Sequence, residues 1–127
     1  LPVPMSTLMI PMTEKKEIEN PNNVKVVTDR EGFALYFSRS PIPFYRDTPQ
    51  SQSVKKHLGF YAYPVHFLKV FSALSQGPLE SAEKLEPLRA LENGFKVKVE
   101  ETPFDSIEVD TPKDIQKVET LLGRHKT

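Results

Sequence analysis

Apolar and polar positions alternate in short stretches along the chain and predict strands over residues 6–12, 24–28, 33–37, 57–63 and 95–99. Within 57–63, a period of two puts His57, Gly59, Tyr61 and Tyr63 on one face and Leu58, Phe60 and Ala62 on the other. One face is then apolar, and the opposite face carries three hydrogen-bonding side chains. Helical spacing takes over at 64–74, with Val65, Leu68 and Phe71 on a common stripe behind Pro64. A second helix is predicted over 78–92, where Leu79, Ala82, Leu85 (or Glu86), Arg89 and Leu91 follow the repeat. Pro78 stands at its start and Asn93-Gly94 at its stop. A last helix is predicted over 111–122 with Ile115, Val118 and Leu121 inward, Thr111 as cap and Pro112 at the first position.

Between these elements, residues 13–20 read as a charged surface connection and Asn20-Pro21-Asn22-Asn23 as a turn. Residues 29–32 close a hairpin, and 47–53 form a polar loop. The order is strand, hairpin, strand, helix, helix, strand, helix, a layered α/β or α+β arrangement. Strands outnumber helices at the front, so one sheet face lacks a covering helix. The chain is expected to be the latter part of something larger, which leaves apolar sheet surface to be covered by association.

Length and charge narrow the classes. A chain of 127 residues without repeats predicts a single domain over 1–127. Lys and Arg (17) balance Asp and Glu (17), so nothing steers the chain toward nucleic acid or an anionic membrane. No apolar run approaches the ~20 residues of a membrane span, and no basic-then-apolar segment opens the chain. With no cysteine, disulfides and thiolate metal sites are excluded, which a reducing compartment accommodates.

Candidate chemistry centres on the stretch from Gly32 to Arg46. An apolar run ends there in Ser38-Arg39, followed by Pro41 and Pro43, which deny the backbone a regular ladder. A fixed cation at a strand's carboxyl end suits an anionic ligand, although a surface arginine after a strand looks the same. Arg46, His57 with Tyr61, Glu86 with Arg89, and Asp110 before the last helix complete the candidates. Each has a plain alternative. His57 is a half-exposed strand residue, Glu86 and Arg89 a helix-surface ion pair, Asp110 support for a helix N-terminus, and Tyr61 a core ring with its hydroxyl at the rim. P-loop, dinucleotide, His-pair and nucleophile-elbow signatures are absent.

Taken in order, these motifs resemble the C-terminal half of the 3-deoxy-manno-octulosonate (Kdo) cytidylyltransferases, the CMP-Kdo synthetases of lipopolysaccharide synthesis. The strings are Asn20-Pro21-Asn22-Asn23-Val24-Lys25-Val26-Val27, Ala34-Leu35-Tyr36-Phe37-Ser38-Arg39 with Ile42-Pro43, and His57-Leu58-Gly59-Phe60-Tyr61-Ala62-Tyr63. Leu79-Glu80, Leu85-Glu86, Leu88-Arg89 and Val109-Asp110-Thr111-Pro112 follow. The resemblance implies a three-layer α/β fold of the nucleotide-diphospho-sugar transferase kind, here its C-terminal half with a mixed sheet and flanking helices. It implies a cytoplasmic, homodimeric nucleotidyltransferase that uses Mg²⁺, CTP and Kdo to make CMP-Kdo and pyrophosphate. Arg39, Arg46, His57, Tyr61 and Glu86 match substrate-binding positions, and Asp110 matches a metal ligand. A related octulosonic or nonulosonic acid is the alternative substrate, and a non-catalytic dimerising module the alternative role.

Three positions depart from the family pattern. Pro87 stands where Leu-Glu-Gln-Leu-Arg carries Gln, Pro64 where an Arg is usual, and Glu108 where a Gly precedes Val-Asp-Thr. They bear on which sugar is taken more than on the reaction class. The family's basic nucleotide-binding loop and its other metal-binding aspartate are not in this sequence, so these 127 residues alone are expected to turn over no CTP.

Overall fold

β1 (Met5–Met12) is an interior strand of a five-stranded sheet ordered β3-β2-β4-β1-β5. The computed structural model describes residues 4–47 and 53–103. The remaining elements are α1 (Lys15–Glu19), β2 (Lys25–Thr28), β3 (Ala34–Ser38), β4 (Val54–Ala62), α2 (Val65–Ser72), α3 (Pro78–Glu83), α4 (Pro87–Glu92) and β5 (Val97–Glu101). The predicted helix over 111–122 lies outside the described residues.

The sheet is mixed, as expected. β1 runs antiparallel to β4, from Ser6↔Ala62 to Met12↔Val54, with a register shift between Thr7 and Leu8. It runs parallel to β5, from Met5↔Val97 to Met9↔Glu101. β2 and β3 form the predicted hairpin. Its turn is held by the Asp29 carboxylate, whose Oδ1 accepts the N–H groups of Glu31 and Phe33 at 2.9 Å each. Those bonds, Phe33's foremost, hold the Asp29 carboxyl below its ordinary pKa. Gly32 takes φ +88°, open to glycine and strained for other residues, and a β-carbon there would crowd the Lys98 ammonium.

The sheet also curls. Val99 N–H donates to the Gly32 carbonyl at 2.8 Å and Phe33 bridges Lys98, so β3 and β5, at opposite ends of the strand order, meet at one corner. The Lys96 and Lys98 ammoniums cover the Phe33 ring there, 4.9 and 4.8 Å from its centroid. Inside, Met5, Val26, Phe37, Val97 and Val99 from the sheet pack with Phe67 of α2 and with Leu85, Leu88 and Ala90 around α4. Burying an aliphatic or aromatic side chain of this kind contributes roughly 1.5–3 kcal/mol.

Four elements differ from the sequence expectation. The stretch 13–20 is not simply a connection: α1 forms because Ile18, alone among charged neighbours, plugs into a satellite cluster with Met12 and Val54. The strand predicted at 33–37 is only half buried, since Phe37 is enclosed while Leu35 is 63% exposed on an edge strand. In α2 the buried residue is Phe67, with the partly buried Phe71 ring 6.1 Å from it, while Val65 and Leu68 are exposed. The predicted helix 78–92 is two helices.

Its break follows from Pro87, which cannot donate a backbone hydrogen bond and whose ring blocks the preceding turn. α3 therefore stops at Lys84, which adopts the left-handed conformation (φ 58°, ψ 46°), and Pro87 opens α4 at its first position. The two helices fold back on each other. Glu92 of α4 caps α3, accepting the Leu79 and Glu80 N–H groups at 3.1 and 2.8 Å. A β-carbon at Gly77 would overlap that carboxylate and displace the Glu92 side chain from its cap. Among the described residues, no helix is long and apolar enough to cross a membrane.

Candidate functional site

β4, the 20–23 turn and the break between α3 and α4 converge on an open groove of about 340 Å³. The turn contributes Asn22 and Asn23; β4 contributes Lys56, His57 and Tyr61; the break contributes Lys84, Glu86 and Pro87. Three of the candidates, His57, Tyr61 and Glu86, thus share one concavity although they span two elements and 30 positions. A smaller apolar cavity of about 200 Å³ adjoins it, shares Tyr61, Glu86 and Pro87, and is backed by Phe67 and Phe71.

His57 is buried rather than half exposed (8%), edge-on to Phe37 with ring centroids 4.8 Å apart. Burial pushes its pKa down to about 4, so the ring is neutral at pH 7. Its Nε2 lies 2.8 Å from Thr7 Oγ1. That hydroxyl donates to backbone carbonyls, with Leu58 O at 3.0 Å and Phe60 O at 2.8 Å in reach. Its single proton is therefore committed, and it accepts from Nε2–H. Nδ1 keeps its lone pair and acts as an acceptor. The Tyr61 ring lies 5.6 Å from His57. Burial first, and then the Glu86 charge, push the Tyr61 hydroxyl up to about 12, leaving it a firm donor. The β4 face predicted from the period of two thus brings His57 and Tyr61 together, while Phe60 on the other face is 55% exposed.

Arg39 lies behind the groove. Its Nε donates to Glu83 O at 2.7 Å, Nη1 to Pro21 O at 3.0 Å and Nη2 to Lys84 O at 3.4 Å. Three of the five guanidinium N–H bonds thus tie the two groove-lining backbones together. Arg46 is exposed on the segment after β3 and is not among the groove's lining residues. Asp110 lies outside the described residues. Arg89 pairs with Glu80 of α3, not with Glu86 three positions before it, through a bidentate contact at 2.8 and 2.7 Å. Glu86 is thereby left open to the groove.

Two residues that hold this arrangement escape a reading of the sequence alone. Lys25 interrupts an apolar strand and looks solvent-facing, yet it is fully buried. Its ammonium donates to Asn20 O at 2.8 Å and Arg39 O at 2.6 Å, under the turn that carries Asn22 and Asn23. Burial, and then the neighbouring Arg39 charge, lower its pKa. Glu83 accepts from Tyr36 Oη at 2.6 Å, Ser38 Oγ at 2.9 Å and the Arg39 N–H at 2.7 Å. Burial pushes its carboxyl up, but these three donors outweigh it and hold the pKa below the ordinary value. The same contact pushes the Tyr36 hydroxyl up to about 12. A lysine between valines and a glutamate in a charged helix carry no pattern that marks them as buried partners.

The sequence profile of a family described as cytidylyltransferase matches residues 2–115. The chain belongs to the cytidylyltransferase family. It is 51% identical over 119 residues to a 3-deoxy-manno-octulosonate cytidylyltransferase of Desulfosudis oleivorans, covering 94% of this chain and 48% of that one. It is 55% identical, with the same coverage, to an 8-amino-3,8-dideoxy-manno-octulosonate cytidylyltransferase of Shewanella baltica. The fold matches a solved CMP:2-keto-3-deoxy-manno-octonic acid synthetase complexed with CTP, with a TM-score of 0.79 and 36% identity over 97% of this chain and 50% of that one. This cytidylyltransferase-family chain spans about half the length of the relatives it matches.

Proposed function

We propose that this chain supplies the sugar-acid half of an enzyme that activates 3-deoxy-manno-octulosonate with CTP. The anomeric hydroxyl oxygen forms a bond to the α-phosphorus of CTP, the bond from that phosphorus to the bridging oxygen breaks, and pyrophosphate leaves. The observation that carries the reading is the groove with a neutral His57, a protonated Tyr61 and the Glu86 carboxylate. A polyol needs acceptors and donors fixed in place, and the His57 Nδ1 lone pair, the Tyr61 hydroxyl and the Glu86 oxygens provide both. Asn22 and Asn23 add amides from a turn braced by Asn20 Oδ1, which accepts Asn22 N–H at 2.9 Å, and by Glu17, whose carbonyl and carboxylate accept from Asn23 Nδ2. Arg46, and Arg39 through its remaining N–H bonds, are the proposed cations for phosphate oxygens.

Mg²⁺ is part of this reading through Asp110, a hard oxygen ligand that phosphate oxygens would complement. Among the described residues, no three His, Cys, Asp or Glu side chains converge to hold an ion. The 8-amino sugar acid is the second reading, favoured by the 55% identity to enzymes named for it and by Pro87, which offers the groove no amide where Gln is usual.

The test is pyrophosphate release by the whole enzyme carrying this chain, with CTP, Mg²⁺ and each sugar acid in turn. His57→Gln is expected to raise KM for the sugar acid roughly tenfold with little change in KM for CTP, as expected for loss of about 1.4 kcal/mol of sugar binding. Equal damage to both constants would assign His57 to the fold instead.

We also propose that the protein is a homodimer in a cytoplasmic setting. Phe60, Tyr63, Val65 and Leu68 are exposed around the β4–α2 corner, Val65 by 80%, and association would cover them. Val65→Asp is expected to convert a dimer to a monomer in sedimentation velocity. A wild-type chain that sediments as a monomer at high concentration counts against the dimer.

A further inference from the structure

Lys84 is a non-glycine residue held in left-handed backbone, at φ 58° and ψ 46°. Glycine and asparagine are the residues favoured at that position after a helix, and a lysine there costs stability. Surrounding bonds enforce the conformation: Lys84 N–H donates to Glu80 O at 2.7 Å, and Arg39 holds the Glu83 and Lys84 carbonyls from the other side. The residue so held lines the groove next to Glu86 and on the same concavity as His57 and Tyr61. It is exposed, and among the described residues its ammonium has no hydrogen-bond or ion-pair partner. Backbone strain that the surroundings maintain occurs often at ligand sites, and here it falls on a groove-lining residue.

We propose that Lys84 is a substrate-binding residue for the sugar-acid carboxylate, with Arg39 acting chiefly as the positioning residue that locks it. The proposal rests on the groove being a sugar-acid site. Its chemistry is a division between two cations. Three Arg39 N–H bonds are committed to backbone carbonyls, which leaves its fork unable to clasp a carboxylate on the side it uses for them. Lys84 brings a mobile ammonium with three donors on a four-carbon stem, and its Cα position is fixed by the lock. Tyr61, Glu86, His57 and the two asparagines then face the hydroxyl-bearing remainder of the sugar.

The proposal separates binding from folding, because the two move in opposite directions at this position. Lys84→Gly removes the left-handed strain, so the melting temperature is expected to stay level or rise by a few degrees. Affinity is expected to fall. Calorimetric titration of the whole enzyme carrying this chain with Kdo, and separately with its methyl ester, measures this. The wild type is expected to bind Kdo saturably and the uncharged ester more weakly. Lys84→Gly and Lys84→Gln are expected to weaken Kdo binding about tenfold and leave ester binding unchanged, while Lys84→Arg stays within about twofold of wild type. Wild-type binding that Lys84→Gly leaves unchanged overturns the assignment of Lys84 and leaves the groove reading intact. No saturable binding of Kdo by the wild type overturns the groove reading and this assignment with it.

Discussion

Glu80→Ala is expected to lower the unfolding free energy by about 3 kcal/mol, shifting the melting temperature down by roughly 10 °C. Glu80 is 5% exposed and accepts two parallel guanidinium bonds from Arg89, at 2.8 and 2.7 Å. Arg89 also lies over the Phe71 ring, 5.2 Å from its centroid, so the pair joins α3, α4 and α2. Removing the carboxylate strands a cation in a partly dry interface, which costs more than the pair itself contributes. The figure sits at the low end for buried pairs because the Arg89 side chain keeps 23% exposure to water. Glu80→Leu with Arg89→Leu, which leaves no stranded charge, is expected to recover most of the loss. Urea unfolding of the three proteins gives the comparison. A loss below 1 kcal/mol for Glu80→Ala would mean that water already screens the pair. The break that carries Lys84 and Glu86 sits between these two helices, so the same substitution is expected to weaken sugar binding.

His57 is expected to make the protein lose about 3 kcal/mol of stability between pH 6.5 and pH 4. Its folded pKa of about 4 lies below its unfolded value of about 6.5. The folded state therefore favours the neutral ring. The contribution is complete above the unfolded pKa, declines as pH falls and the unfolded chain takes up protons, and levels off below the folded pKa. A gap of about 2.5 units corresponds to about 3 kcal/mol. The cause is burial beside Phe37 and Thr7, with no carboxylate bonded to the ring to support an imidazolium among the described residues. Glu83 and Asp29, whose pKa values are held low, add their own losses at more acid pH. The difference between wild type and His57→Gln isolates the histidine. Urea midpoints at pH 7.5 and pH 5 are expected to fall in the wild type and to fall much less in the variant. Parallel declines in the two proteins would show that His57 is hydrated in the folded state.

Much of the element order is legible in the sequence because it depends on local chemistry. Strands appear where β-branched and aromatic residues alternate, and Asp29 and Gly32 mark the hairpin because only such residues close that turn. The helix predicted as one piece at 78–92 shows a weak point in the same reading. Leucines at helical spacing run through Pro87, and the proline rule outweighs the apolar period. Ile18 shows the converse, since a single apolar residue has no period, and only its seat beside Met12 and Val54 makes α1.

For the site, local residue pattern places His57 and Tyr61 on one strand face and Arg39 after a strand. Both statements rest on backbone period, which each residue carries locally. It also carried the family's motif order, through residue types at fixed spacing. Long-range packing is what buries His57 and keeps it neutral, turns Arg89 to Glu80 so that Glu86 stays open, and makes Lys25, Glu83 and Arg39 brace two segments dozens of positions apart. The reason is physical. Burial, and the choice among several possible partners for a charge, depend on distances across the fold, and the same Lys or Glu in the same local pattern is solvated on one face and locked on another.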